Sequence, residues 1–348
     1  MFVDKDGKII FDLIKEEQRL KYGFLIYCDN LLASILEISS KEQWCNVELN
    51  IKEKDKNKWE SDKYNIGYFR THGYSKEINT MYYRKILFCL LADYLEYVSN
   101  SIECASRKQM GACYSLLRKP LKDNLLFIEF LALQRHWFVG RFFNKDISEY
   151  RVEGISEKTK KRLIREVCKK VGMPKFNKML YNFRYNKKIL YSLEYIWNPA
   201  SHIITTFKNF KTANGNFNMI FNDEENDTKL MNHFFEVIPA IYNYTLRVFM
   251  YILKEEKLIN DTEYAINSAI TNIKNTVAIN EKFKDNENVN EFLFTCPHCF
   301  KSTYLKENTQ LKNDILYNSS TICTNCKHAI RLDKFLEYKV GEDNEENI

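Results

Sequence analysis

The chain has 348 residues, 45% of them hydrophobic and 14% aromatic, and a formal charge of +6 at neutral pH. That apolar content excludes an intrinsically disordered polymer, and ten Gly with five Pro are too few for a many-stranded, turn-rich β architecture. No apolar run reaches the ~20 residues of a membrane span. The most apolar stretch, Leu125 to Leu133, is broken by Glu129 and ends at Gln134-Arg135-His136. Met1-Phe2-Val3-Asp4-Lys5-Asp6 is charged with no apolar region behind it, so the expectation is a cytoplasmic protein without a secretory signal.

Residues 11–38 open the fold with one or two helices, marked by Leu25, Cys28, Leu32, Ile35 and Leu36 at helical spacing. The periodicity lapses over 40–75, where Val47 to Ile51 alternates like a short strand and Lys52 to Lys58 reads as a solvated turn. A long helix is predicted from Ser75 to Arg107, with Ile78, Met81, Tyr82, Leu87, Leu91, Tyr94 and Val98 on its apolar stripe. A second helix, Met110 to Trp137, should fold back on it as an antiparallel hairpin, started or kinked at Pro120. Ser156 and Gly172 bracket a further helix as N-cap and C-terminal stop. Shorter helices are expected over 175–183 and 186–196, and Asn214-Gly215 reads as a turn between strands Thr205–Lys211 and Phe217–Phe221. A long helix over 227–257, crossed by Pro239, and another over 262–275 complete the pattern.

The C-terminal region carries the plainest chemistry. Cys296-Pro297-His298-Cys299 and Cys323-Thr324-Asn325-Cys326 are two Cys-x-x-Cys pairs separated by 23 residues, long enough for a short hairpin. Each pair turns two sulfurs toward one point, and four thiolates make the tetrahedron that Zn²⁺ prefers. The segment resembles the zinc-ribbon family, which implies one structural Zn²⁺ held by Cys296, Cys299, Cys323 and Cys326. With four Cys available, His298 and His328 are not needed as ligands. The other six cysteines, Cys28, Cys45, Cys89, Cys104, Cys113 and Cys168, show no motif spacing and read as reduced thiols.

Three further features can carry function. Residues 158–188 hold twelve Lys and Arg against one acid, Glu166: Lys158, Lys160, Lys161, Arg162, Arg165, Lys169, Lys170, Lys175, Lys178, Arg184, Lys187 and Lys188. Such a block is the footprint of a phosphate-backbone contact, and interleaved aromatics such as Phe176, Tyr181, Phe183 and Tyr185 would either stack on bases or line a core. Arg118, Lys122 and Glu129 fall on one helical face, at the edge of the apolar stripe or paired within it. The pairing reading names Asp93 or Glu96 of the preceding helix as partner.

The third is Trp197-Asn198-Pro199-Ala200-Ser201-His202. It resembles the motif of the HEPN superfamily, helical proteins that include bacterial toxins and anti-phage ribonucleases. The resemblance implies a dimer cutting RNA without metal, with His202 as the catalytic histidine and Asn198 at the polar position. The motif's Arg position holds Trp197, so the cation would have to come from Arg184 or Arg118. His202 as a helix-bridging structural residue is the competing reading. There is no phosphate-binding Gly-rich loop, nucleophile elbow or His-Glu-x-x-His, which leaves nucleotide-driven motors, α/β hydrolases and zincin proteases without support.

The expected architecture is mainly α: a helical bundle over 1–278, a polar linker over 279–290, a small β zinc ribbon over 291–338 and an acidic tail over 339–348. The leading expectation is a nucleic-acid-associated protein whose RNA or DNA partner lies on the 158–188 block. A defence or toxin–antitoxin setting follows from the HEPN resemblance alone. A ribonuclease using His202, and an adaptor for an acidic partner protein, are the alternatives.

Overall fold

The computed structural model describes residues 14–62, 66–144, 151–189, 192–206, 211–214 and 224–338. Among these the fold is mainly helical, with two small antiparallel sheets near the C-terminus. No helix among them is long and apolar enough to cross a membrane.

Helix α1 (Arg19–Lys41) buries Leu25, Cys28, Leu32 and Ile35, as their spacing predicts. The lapse in periodicity that follows is a small lobe built from helices α2 (Lys56–Asp62) and α3 (Ile66–Thr71). Here two expectations fail. Val47 to Ile51 forms no strand: it meets no partner strand among the described residues, and Leu49 and Ile51 pack instead on Phe69, Tyr74 and Ile78. Lys52 to Lys58 is not a free turn, because Asp55 is buried and accepts a hydrogen bond from the Tyr74 hydroxyl at 2.9 Å.

Helix α4 (Ser75–Ser106) is the predicted long helix, and α5 (Met110–Arg118) returns along it after a left-handed turn at Lys108 (φ 57°). The Ser101 hydroxyl donates to the Cys113 carbonyl at 3.0 Å and ties the hairpin. Helix α6 (Leu125–Asn144) follows through a π-helical turn, Lys119–Asn124. Pro120 supplies no N–H and crowds the preceding turn, so the helix widens there rather than stopping. Helix α7 (Glu157–Lys170) begins where Ser156 accepts from the Thr159 N–H at 3.2 Å and ends at Gly172, whose φ of 72° suits glycine.

Helix α8 (Asn177–Tyr185) starts after a 3₁₀ turn, Pro174–Phe176, and α9 (Leu193–Ser201) starts late because Ser192 caps it. Thr205 and Thr212 pair through the Thr212 N–H and Thr205 carbonyl at 2.9 Å without forming a described strand; Phe217–Phe221 lies outside the described residues.

Helix α10 (Glu224–Glu255) is the axis of the bundle. It packs on α1, α5, α6 and α7, and also on α11 (Asp261–Ile279). Phe234, Phe235, Ile238, Ile241, Tyr242, Tyr244, Leu246, Val248, Phe249 and Leu253 are all buried, so it is apolar nearly all round, as a central helix must be. Residues 279–290 contain a 3₁₀ turn, Glu281–Asp285, and the short helix α12 (Glu287–Asn290), whose Val289 is buried.

The last module pairs β1 (Leu293–Thr295) with β2 (Ser302–Tyr304), and β3 (Ser320–Ile322) with β4 (Ala329–Arg331). Its spacer is more than a hairpin, since α13 (Thr309–Tyr317) is inserted between the two sheets. The module is docked on the bundle. After a turn at Asp333-Lys334, Phe335 to Tyr338 crosses α1 and α11, where Phe335 N–H donates to Ser34 Oγ at 2.7 Å and Tyr338 N–H to Glu263 Oε1 at 2.9 Å. Asn267 receives both polar groups of Leu336, accepting its N–H at 2.9 Å and donating to its carbonyl at 3.0 Å. A carboxamide used this way replaces a neighbouring strand for one residue.

Candidate functional site

The four C-terminal cysteines converge as their spacing predicts. Cys296, Cys299, Cys323 and Cys326 place their sulfurs within 4.8 Å of one another. The Cys296–Cys326 and Cys299–Cys323 separations are both 3.8 Å. A tetrahedral ion bonded to thiolates at ~2.3 Å requires edges of about 3.8 Å, so the set fits a metal ion.

The two knuckles are built alike. In each, the residue after the second Cys adopts a left-handed conformation (Phe300 φ 56°, Lys327 φ 63°), and its N–H returns to the carbonyl of the first Cys at 3.0 Å. Asn325 Nδ2 lies 3.5 Å from Cys299 Sγ and helps to hold that thiol well below its usual range, at about 6, which favours the thiolate a metal needs. The His298 and His328 rings are exposed and stack on each other at 4.7 Å outside the cluster.

The basic block divides by burial. Lys158, Lys161, Arg162, Arg165, Lys169, Lys170, Lys175, Lys178, Lys187 and Lys188 are exposed on α7, α8 and their flanking turns. Glu157 pairs with Lys161 at 2.5 Å, and Glu166 with Arg165 and Lys169 at 2.9 and 3.3 Å. Lys158, Arg162, Lys170, Lys175, Lys178 and Lys188 have no ion pair among the described residues. Two members do not belong to this surface. Lys160 is half-buried over the Tyr185 ring, at 5.1 Å, and burial followed by Lys122 pushes its pKa down. Arg184 is fully buried. The aromatics follow the core reading, since Phe176, Tyr181 and Tyr185 are buried.

Arg184 resolves the polar face of α5 and α6 as well. Its Nη1 donates to Glu129 Oε1 at 2.6 Å, its Nε to the Leu121 carbonyl at 2.7 Å and its Nη2 to the Tyr185 hydroxyl at 2.8 Å. The Leu121 carbonyl is open to it because the π turn sends the Leu125 N–H to Pro120 instead. Burial pushes the Glu129 carboxyl up while Arg184 and Tyr244 oppose the shift. A guanidinium does not shed its proton, so Glu129 serves as its carboxylate counter-ion. Lys122 pairs with Glu194 of α9 at 2.5 Å. The partners expected from α4 are therefore wrong: Asp93 accepts from Lys119 and Asn124, each at 2.6 Å.

His202 is exposed just beyond α9, and Asn198 lies within that helix. Glu194 meets Lys122 while the Ala200 carbonyl meets the Ser115 hydroxyl at 2.9 Å, so α9 runs antiparallel to the α5–α6 segment. Trp197 is fully buried, and Arg184 with Glu129 is closed in the core. Glu129 is thus closed off from His202 and Arg118, both of which are exposed.

No family model, curated protein or solved structure matches the chain. The surface and the cluster must be read from their own chemistry. The signal for Arg184 was within reach of the sequence only as the one cation of the block inside an aromatic run, Tyr181 to Tyr185.

Proposed function

We propose that this protein binds nucleic acid through the exposed cations of α7 and α8, and that its cysteine cluster holds one structural Zn²⁺. The carrying observation is the surface itself: ten exposed Lys and Arg gathered on two helices and their flanking turns, with Glu157 and Glu166 as nearby acids. A phosphate backbone meets such a surface by releasing counterions, without any base-specific pocket. The buried tyrosines argue for backbone contact over base stacking. Four thiolates fill a tetrahedron, so the ion has no open position for chemistry, and its role is to hold the docked module together.

Fluorescence anisotropy with single- and double-stranded RNA and DNA tests the reading. Reversing Lys158, Arg162, Lys170 and Lys178 to Glu should abolish binding while leaving the circular dichroism spectrum intact. Unchanged affinity in that variant would overturn it. Elemental analysis of protein purified without added metal should return one zinc per chain.

A further inference from the structure

A cavity of about 570 Å³ lies where the C-terminal module meets α1 and α11, a size typical of small-molecule sites. Its walls are largely apolar, with Tyr22 and Ile26 from α1, Val277 and Ala278 from α11, and Leu316 from α13. We propose that this cavity binds a small amphipathic carboxylate, its head on Lys274 and its apolar body along α1.

Three observations carry the assignment. Lys274 lines the cavity at only 8% exposure, and among the described residues its ammonium has a single hydrogen-bond acceptor, the Asn318 carbonyl at 3.0 Å. An ammonium offers three donors, so two are left for a ligand. The acid in the wall, Asp333, is already engaged: Arg331 donates to both its oxygens at 2.8 Å, and Asn30 to Oδ2 at 2.9 Å. Asp314, the second acid that acts on Lys274, is engaged as well, accepting from Gln310, Asn318 and Thr321 at 2.7–2.8 Å. The site therefore has donors to give and its carboxylates are occupied, which selects a ligand that brings the acceptor. Finally, Gly23 sits inside α1 at the cavity wall, and a Cβ built there meets no heavy atom within 4 Å. An interior helical Gly costs about 1 kcal/mol relative to Ala, and Gly23 is exposed with open space where a Cβ would stand, so this stretch of the wall is left clear. The Tyr27 ring, 5.3 Å from the Lys274 ammonium, also lines the cavity and supports the cation.

Isothermal titration of the full chain with decanoate, decan-1-ol and decylamine decides the matter. Decanoate should bind at one site and more tightly than either isostere. Lys274→Met should weaken decanoate by about tenfold or more, the loss of one charge-assisted hydrogen bond, and leave decan-1-ol unchanged. Gly23→Leu should fold at least as well, since Leu is the better helix former, and should abolish decanoate binding by filling the cavity. Absence of decanoate binding to the unaltered chain, equal affinity for all three probes, or undiminished binding in Gly23→Leu would each overturn the proposal. If Lys274→Met does not fold, the Gly23→Leu result stands by itself.

Discussion

Replacing Arg184 with Met should be among the most damaging single changes in the helical domain. Both Arg184 and Glu129 are wholly buried, and their 2.6 Å contact is embedded in further bonds to the Leu121 carbonyl and the Tyr185 and Tyr244 hydroxyls. Met fills most of the volume but leaves the Glu129 carboxylate without its cation and the Leu121 carbonyl without its donor. Breaking one side of a buried ion pair costs about 3–5 kcal/mol, a large part of a typical total stability of about 5–15 kcal/mol. Changing both residues to Met removes the stranded charge, so the double variant should be far less impaired than the sum of the two single changes. Urea unfolding of the four proteins of this cycle at neutral pH measures the coupling. A cost under about 1 kcal/mol for Arg184→Met, or additive single changes, would show that these groups are not desolvated together.

Other outcomes follow from the docked module. Loading the four cysteines with zinc and then stripping it with a strong chelator should expose residues 293–338 to protease while the helical circular dichroism signal persists, which limited proteolysis with mass spectrometry would register. Asn267→Leu leaves both polar groups of Leu336 unpaired in a buried site and should cost about 2–4 kcal/mol in chemical denaturation, with the C-terminal segment released first. Burial depresses Lys274 to about 8, partly offset by Asp333 and Asp314, against about 10.4 for an unfolded lysine. The unfolded chain thus binds more protons between these values, and stability should rise across that window relative to Lys274→Met; a parallel pH profile for the two proteins would contradict it.

Local and repetitive features were legible in the sequence. The Ser156 and Gly172 boundaries of α7, the stripe of α4 and the four metal-site cysteines all rest on spacing within one element or one motif. What escaped was decided by distant partners. Glu129 and Arg184 are 55 residues apart, and only the fold shows that a π turn frees a carbonyl for the arginine. Phe335 to Tyr338 has no periodicity of its own, because its hydrogen bonds go to Ser34, Asn267 and Glu263 side chains rather than to a neighbouring strand. Asp55 looked like part of a solvated charged run, yet Tyr74, 19 residues away, gives it a buried hydrogen bond. The twelve-cation block was visible as composition, but its division into surface lysines and one buried arginine depended on which face of α8 meets α6 and α7.

The salt dependence of nucleic-acid affinity tests the central reading most directly. For a single strand, each neutralised phosphate contributes about −0.7 to the slope of log K against log salt concentration. Engagement of four or more phosphates by Lys158, Arg162, Lys170, Lys175, Lys178 and Lys188 should therefore give a slope of about −3 or steeper, and fewer of these cations should give a proportionately shallower one. A flat slope, or no binding at low salt, would contradict the assignment of this surface to a phosphate backbone.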